Sequence, residues 1–300
     1  MEAAAARPER VAVIGATGRT GPHVVRALCD AGFDVIAIGR DAGRLAVGDA
    51  RARRSVAAIE DRAGLAAAID GADAAVCLAP HETFGAVLAA LPNGCARVVA
   101  AGSIRKYSRF DDPIARSARQ TDAVFAASGR QGVVLNFSLI YGQPEDRTIN
   151  RVIAMVWRFP AGLPAPLVLP DGGRHLLQPI FIDDMTACVH AALVRPEALG
   201  PSIDVAGPRA VSYREMVEAC AAAIGRSVLV LPVPSRPLIG AVRALERAGL
   251  RLPVASDELA RASEDKIVDI GAMRARLGVD PVTFEEGLRR KRERGWLAAR

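Results

Sequence analysis

Lysine is almost missing from this chain: of its 39 basic residues only Lys106, Lys266 and Lys291 are lysine, and all the others are arginine. So uniform a preference reads as codon bias, and no stability argument is built on it. Paired cysteines are also missing. Cys29, Cys77, Cys95, Cys188 and Cys220 are odd in number, scattered and never spaced C-x-x-C. That excludes a disulfide framework and leaves small buried hydrophobes in a reducing compartment. No apolar run reaches membrane-spanning length, since the nearest, 152–169, is broken by Arg158, Pro160, Pro164 and Pro166. Glu2 and a start that runs straight into the first strand argue against a secretory signal, so a cytoplasmic protein is expected. Beyond an alanine-rich first six residues, no repeat or low-complexity linker interrupts the sequence.

What remains is a globular composition. The chain has 300 residues, 51% hydrophobic and 24% charged, enough for a large α/β core with or without a smaller lobe. The net charge is +6 and the sequence pI about 9.4. The densest basic cluster, Arg289-Arg290-Lys291-Arg292-Glu293-Arg294, falls on a predicted C-terminal helix. There it reads as a solvated helix end complementing the macrodipole, not as a nucleic-acid or membrane footprint. Positive charge also suits a phosphorylated cofactor or an acidic substrate.

The most informative segment is Val11-Ala-Val-Ile-Gly15-Ala-Thr17-Gly18-Arg19-Thr20-Gly21. Three glycines follow an apolar run and open an amphipathic stretch, which ends at Ala31-Gly32 before a second apolar run. Strand, tight turn, helix and strand within about thirty residues are the setting in which a glycine-rich loop holds a dinucleotide pyrophosphate. Gly15 permits the sharp turn, Gly18 lets backbone amides approach phosphate, and Gly21 lets the helix pack closely on the sheet. Thr17, Arg19 and Thr20 complete the loop, and the positive end of the helix dipole faces the ligand.

Strand-like runs recur at 11–14, 33–38, 56–59, 74–78, 97–101 and 133–137, with helical patterns near 19–31, 62–69, 82–90 and 112–128. This alternation predicts an α/β fold, a Rossmann-type doubly wound parallel sheet with ligands at the carboxyl ends of its strands. After Gly142 proline density rises and the alternation becomes irregular. The pattern divides into a dinucleotide-binding core over 1–145 and a small, mainly helical substrate lobe over 146–300, interleaved with the last strands. Ser212-x-x-Glu215 and Thr283-x-x-Glu286 read as capping boxes, and Asp269 can cap a helix that stops at Gly278.

The tip of the second strand selects the cofactor. An acidic residue there bonds the ribose 2′-hydroxyl of NAD, whereas arginine accommodates the 2′-phosphate of NADP. The chain has Gly39-Arg40-Asp41, with Arg19 in the glycine loop and Arg44 a turn further on. NADP is therefore expected before NAD, although Asp41 could turn in to serve NAD.

The spacing G-x-x-G-x-x-G resembles the short-chain dehydrogenase/reductase superfamily, in its extended and atypical branches. Further segments carry the likeness along the chain: Leu135-Asn136-Phe137-Ser138-Leu-Ile-Tyr141-Gly142, then Gly172-Gly173-Arg174, Gln178-Pro-Ile-Phe-Ile-Asp183-Asp184 and Asp204-Val-Ala-Gly207-Pro208. Together they are similar to epimerase/dehydratase-like proteins and to NmrA-like and complex I accessory-subunit relatives. The resemblance implies that Asp61 meets the adenine amino group or else caps a helix. It places Ala79 and Phe137 along the cofactor, and makes Ser103, after Ala101-Gly102, the hydroxyl that polarises a substrate oxygen or the cap of the next turn. Asp183 is expected to cap a helix, Tyr141 to be structural, and Arg174 to bind an anionic group of the substrate.

One part of the family pattern is missing. Where extended members carry Y-x-x-S-K-x-x-x-E, registering Ser117 and Asp122 leaves Ile114 in the Tyr place and Ala118 in the Lys place. Neither exchanges a proton. Tyr107, in Lys106-Tyr107-Ser108 close to Ser103, and His81, at the end of the fourth strand, are the substitutes, and each is otherwise an ordinary loop residue. Two readings follow. One is an NADP(H)-dependent oxidoreductase or epimerase/dehydratase acting on a small carbonyl or sugar-like molecule. The other is a non-catalytic NADP(H)-binding sensor or scaffold. No nucleic acid, metal or membrane span is expected, and a homodimer is compatible with either.

Overall fold

The computed structural model describes residues 7–250 and 255–297, so the alanine-rich start lies outside the described residues. The chain forms two compact units. The first comprises residues up to Ser138, Ile182–Ala206 and Val268–Pro281; the second comprises Leu139–Phe181, Gly207–Ile267 and the segment from Val282 onward.

The first unit is built on a parallel sheet. Its strands are β1 (Arg10–Ile14), β2 (Asp34–Gly39), β3 (Arg53–Val56), β4 (Ala74–Cys77), β5 (Arg97–Ser103), β6 (Gly132–Phe137) and a last strand at Ile203–Val205. From one edge the order is Ile203–Val205, β6, β5, β4, β1, β2, β3, seven strands in all. The order reverses between β1 and β4, which opens a crevice at their carboxyl ends. Residues 11–14 of β1 and all six of β6 are buried, the continuous apolar pattern of strands covered on both faces.

The connecting helices are α1 (Gly21–Asp30), α2 (Ala42–Ala46), α3 (Arg62–Ile69), α4 (Phe84–Ala90) and α5 (Pro113–Ala127). Helix α1 packs beside the helix Ile182–Val194, whereas α3, α4 and α5 pack side by side. The doubly wound α/β fold expected from the sequence is what forms. One strand is displaced: β3 lies at Arg53–Val56, not at 56–59. It is an edge strand with Arg53, Arg54 and Val56 exposed, while the apolar Ala57 and Ile59 that follow are packed against the core.

The second unit is mainly helical, with helices Arg147–Trp157, Tyr213–Ala223, Ser235–Arg247, Ser256–Ala262 and Phe284–Glu293 and three two-stranded pairs. Tyr141 organises its centre. Its ring stands 5.5 Å from that of Phe181 and 4.8 Å from that of Phe284, and its hydroxyl donates to the Phe284 carbonyl over 3.2 Å. The Ser212–Glu215 capping box closes fully, since the Ser212 hydroxyl accepts from the Glu215 amide and the Glu215 carboxylate from the Ser212 amide. At Thr283 only the first half forms, and the Glu286 carboxylate binds Arg289 and Arg290 instead.

The basic C-terminal run is not solvated throughout. Lys291 is fully buried, donates to the Gln143 carbonyl over 2.6 Å and lies 3.9 Å from Asp146. Asp146 in turn accepts from the amides of Gly142, Thr148 and Ile149. Burial pushes the Lys291 ammonium below its usual range and the Asp146 carboxyl above its own. Asp183 is the second residue of the helix Ile182–Val194, in its first turn. Gly278 ends a π-helical turn in the left-handed conformation, with Asp269 bonding the Gly271 amide at the start. The five thiols are free, and burial pushes Cys77 and Cys95 up to about 11. No described helix is long and apolar enough to cross a membrane.

Candidate functional site

The turn after β1 is tightly drawn. Gly15 has φ +86°, and the amides of Gly15 and Ala16 both donate to the Ile38 carbonyl at 3.1 and 3.0 Å. The Gly18 amide closes onto the Gly15 carbonyl at 2.9 Å. A Cβ on Gly21 would sit 2.5 Å from the carbonyl oxygens of Gly15 and Ala16, so no side chain fits there. Among the described residues, the backbone amides of Thr17, Arg19 and Thr20 have no hydrogen-bond partner. Thr20 makes no side-chain cap on α1, and the first turn of α1 carries no acidic residue. The end of β1 therefore presents unpaired N–H groups and an uncapped positive helix terminus, the combination that binds phosphate.

Two strand ends meet this turn. The Ala79 amide lies 3.1 Å from where a Gly15 Cβ would be, and Thr17 lies against Gly39 at the tip of β2. Beyond Gly39, Arg19, Arg40 and Arg44 are exposed, and their guanidinium groups have no partner among the described residues. Asp41 is committed elsewhere: its carboxylate accepts from the Arg44 amide over 3.0 Å and caps α2. Asp61 likewise caps α3 through the Gly64 amide at 3.0 Å.

The far end of the crevice holds the candidate chemistry. Ser103 ends β5 and accepts from the Arg105 amide over 3.2 Å, capping the turn Ile104–Tyr107. It is in register with Phe137 on β6, which is buried. Tyr107 is 61% exposed, and its hydroxyl donates to Asp204 over 2.8 Å. Lys106 beside it donates to Asp122 over 2.6 Å and to Ser202 over 3.2 Å, with its ammonium 4.9 Å from the Tyr107 ring centroid. Desolvation and the bond to Asp204 raise the Tyr107 phenol above its usual range, outweighing the Lys106 charge. Burial works to lower Lys106, but the Asp122 hydrogen bond and the two carboxylate charges raise it overall.

His81 is half-buried after β4, and its Nδ1 has no partner. Burial lowers its imidazole below the usual range, with the Arg105 charge adding to the effect. The short turn at His81–Thr83 packs on α5, where Ala118 is fully buried and Ile114 is 49% exposed. Arg174 belongs to the second unit, exposed beside Asp171 at the end of the turn Asp171–Gly173.

Three partners were missed in the sequence. Asp204, Asp122 and Ser202 hold Lys106 and Tyr107 from positions up to 97 residues away. Asn136 is fully buried, with both amide atoms unpartnered, and its Oδ1 occupies the space a side chain on Gly102 would need. A lone amide in the apolar run Val133–Phe137 was its only sequence signal.

Residues 7–107 match the NmrA-like family model. No curated protein matches the sequence. Solved structures match over nearly the full length. MoeE5 in complex with UDP-glucose and NAD is 19% identical, with 96% of this chain and 98% of that one covered at a TM-score of 0.72. UDP-glucose 4-epimerase from Thermotoga maritima, solved with UDP-glucose, is 16% identical over 95% and 97% of the two chains at 0.71. The NADPH-dependent quinone oxidoreductase QOR2 from Escherichia coli, solved with NADPH, is 16% identical over 93% and 98% at 0.71. The match over residues 7–107 bears out the likeness to NmrA-like proteins, and the solved structures share the fold.

Proposed function

We propose that this chain is an NADP(H)-dependent oxidoreductase or epimerase/dehydratase acting on a small carbonyl or sugar-like substrate. The observation that carries the reading is the set of bare amides at Thr17, Arg19 and Thr20 over the uncapped start of α1. They would hold the pyrophosphate, with Gly15, Gly18 and Gly21 keeping the approach clear and Ala79 and Phe137 lining the path toward the nicotinamide. Arg40, flanked by Arg19 and Arg44, would take the 2′-phosphate, and the engagement of Asp41 in capping α2 supports NADP over NAD. Asp61 caps α3 through one carboxylate oxygen, and we assign its other oxygen to the adenine end. The neighbours solved with NADPH, NAD and UDP-sugars support the same class.

When bound, the nicotinamide supplies hydride transfer. The residues of the chain supply the rest. Ser103 would hold the substrate oxygen. Tyr107 would exchange the proton: in substrate oxidation a proton taken by its oxygen is matched by one passed to Asp204, and in carbonyl reduction the phenol leaves Asp204, gives its proton to the substrate oxygen and regains one from solvent, to which it is 61% exposed. His81, neutral with a free Nδ1, is the second candidate for that proton. Arg174 would contact an anionic part of the substrate. A cytoplasmic placement belongs to this reading, and a homodimer is compatible with it and is tested by light scattering.

A second reading has its own support. Ile114 and Ala118 stand where the family's proton donor and its lysine would be, and Ser103 is already engaged as a cap. On that reading the protein binds NADP(H) without turnover and signals occupancy to a partner. NADPH oxidation against a panel of quinones, aldehydes and ketones separates the two. Turnover that is lost in Tyr107→Phe supports catalysis; tight NADPH binding with no turnover on any compound supports the sensor.

A further inference from the structure

The second unit carries an apolar surface that the described residues leave open. Its strands Ala165–Pro170 and Val228–Val233 run parallel, pairing Pro166 with Leu229 and Val168 with Leu231. Alternate side chains point to opposite faces. Leu167, Leu169 and Val230 are buried on one face, whereas Pro166, Val168, Leu229 and Leu231 are exposed on the other, Val168 and Leu229 at 54% each. Cross-strand pairing makes these four one contiguous patch. Where the strands begin, Leu163 and Trp157 are also exposed, and the Arg226 guanidinium lies 4.7 Å above the Trp157 ring.

The helix Ser235–Arg247 follows directly after Pro234, and none of its residues is buried. Leu238, Val242 and Leu245, spaced i, i+4, i+7, line one side, and Arg236, Arg243 and Arg247 line the opposite side. That stripe is partly covered: the helix packs against Ser256–Ala262, and Leu238 and Val242 are half-buried, which leaves Leu245 and the arginine side exposed.

Charge singles out the partner. Across 157–170 and 226–250 stand five arginines (158, 226, 236, 243 and 247) and one acid, Glu246. Glu246 is spent on the amide and hydroxyl of Ser256. Arg243 pairs with Asp257 at 3.8 Å and its charge also reaches Glu246, while Glu258, on the same helix as Asp257, pairs with Arg151. A symmetric contact with a second copy would set these arginines against one another. Nucleic acid would gain nothing from bare leucine and valine, which neither stack on bases nor hydrogen-bond. An exposed apolar strand patch, a tryptophan–arginine pair and the exposed arginines of the following helix match the acyl and headgroup chemistry of an anionic bilayer.

We propose that the patch of Trp157, Leu163, Val168, Leu229 and Leu231, with the basic side of the helix Ser235–Arg247 that follows it in the chain, docks the protein peripherally on an anionic lipid surface. The contact is independent of the nucleotide site and does not rest on it.

The test is sedimentation of the full chain with vesicles of equal parts phosphatidylserine and phosphatidylcholine, against phosphatidylcholine alone. Binding only to the anionic vesicles, weakening as salt is raised, is expected. Leu229→Asp/Leu231→Asp should lose it. Arg236→Gln/Arg243→Gln, on an exposed helix where folding is not at stake, should weaken it about fivefold per arginine. In a Trp296→Phe background, Trp157 fluorescence should shift to the blue with anionic vesicles only. Three results would overturn the proposal: no binding to anionic vesicles, binding unchanged in both variants, or a dimer that dissociates in Leu229→Asp/Leu231→Asp.

Discussion

The hydroxyl of Tyr107 donates to Asp204 over 2.8 Å, tying the turn after β5 to the edge strand beside β6. This bond spends the single proton of the phenol on a carboxylate, so the oxygen left facing outward is an acceptor. A tyrosine held in this way works as one half of a pair. Asp204 decides what Tyr107 can do.

The pair can be read spectroscopically. Because the Asp204 bond is one of the causes raising the Tyr107 phenol, Asp204→Asn should bring its titration back toward the ordinary 10.0. Ultraviolet difference titration checks this, with Tyr107→Phe as the blank for Tyr141 and Tyr213. In turnover assays Tyr107→Phe should lower kcat about a hundredfold or more. Asp204→Asn should lower kcat with little change in KM.

Arg40→Ala should weaken NADPH about tenfold while leaving NADH within about twofold, as expected for one lost charge-assisted contact to phosphate. Fluorescence titration with both nucleotides measures the ratio. An equal loss for both would place Arg40 outside the 2′-phosphate contact.

Packing in the second unit leaves no room at Gly287, where an added Cβ would overlap the Tyr141 hydroxyl. Gly287→Ala should cost about 2 kcal/mol by overpacking. Lys291→Met leaves the Gln143 carbonyl and the buried Asp146 without their cation, and should cost about 3–5 kcal/mol. Urea unfolding compares both with Arg292→Met in the same run, which should be nearly neutral.

His81 sets an acid-side dependence. Its folded-state imidazole lies below the ordinary 6.5, mainly through burial. The folded state therefore binds this proton less readily than the unfolded chain. The stability it protects is fully present above 6.5 and falls as pH drops through the folded value. His190, lowered by burial and Arg7, has the same sign. Urea unfolding below 6.5 should show a shallower loss in His81→Gln, and a shallower one still when His190 is also replaced.

The glycine turn was legible because its chemistry is local: strand, turn and helix signals fall within a few residues of Gly15, Gly18 and Gly21. The same holds for Ser212–Glu215, whose capping box closes within one turn. β3 was misplaced because hydrophobicity marked Ala57 and Ile59, which pack on the core, whereas the edge strand itself is held by backbone bonds to β2 and can be basic. Lys291 could not be told from the arginines around it, since only the fold turns that one side chain inward. Asp204 and Asn136 escaped for a related reason. Their importance lies in register with β5 and β6, and register is a property of the sheet that the run of residues does not spell out.

Isothermal calorimetry of the full chain with NADPH, then with NADH, tests the central claim most directly. Binding of one NADPH per chain is expected, tighter than NADH and lost in Gly21→Val. The absence of binding heat with either nucleotide, at every concentration reached, would contradict it.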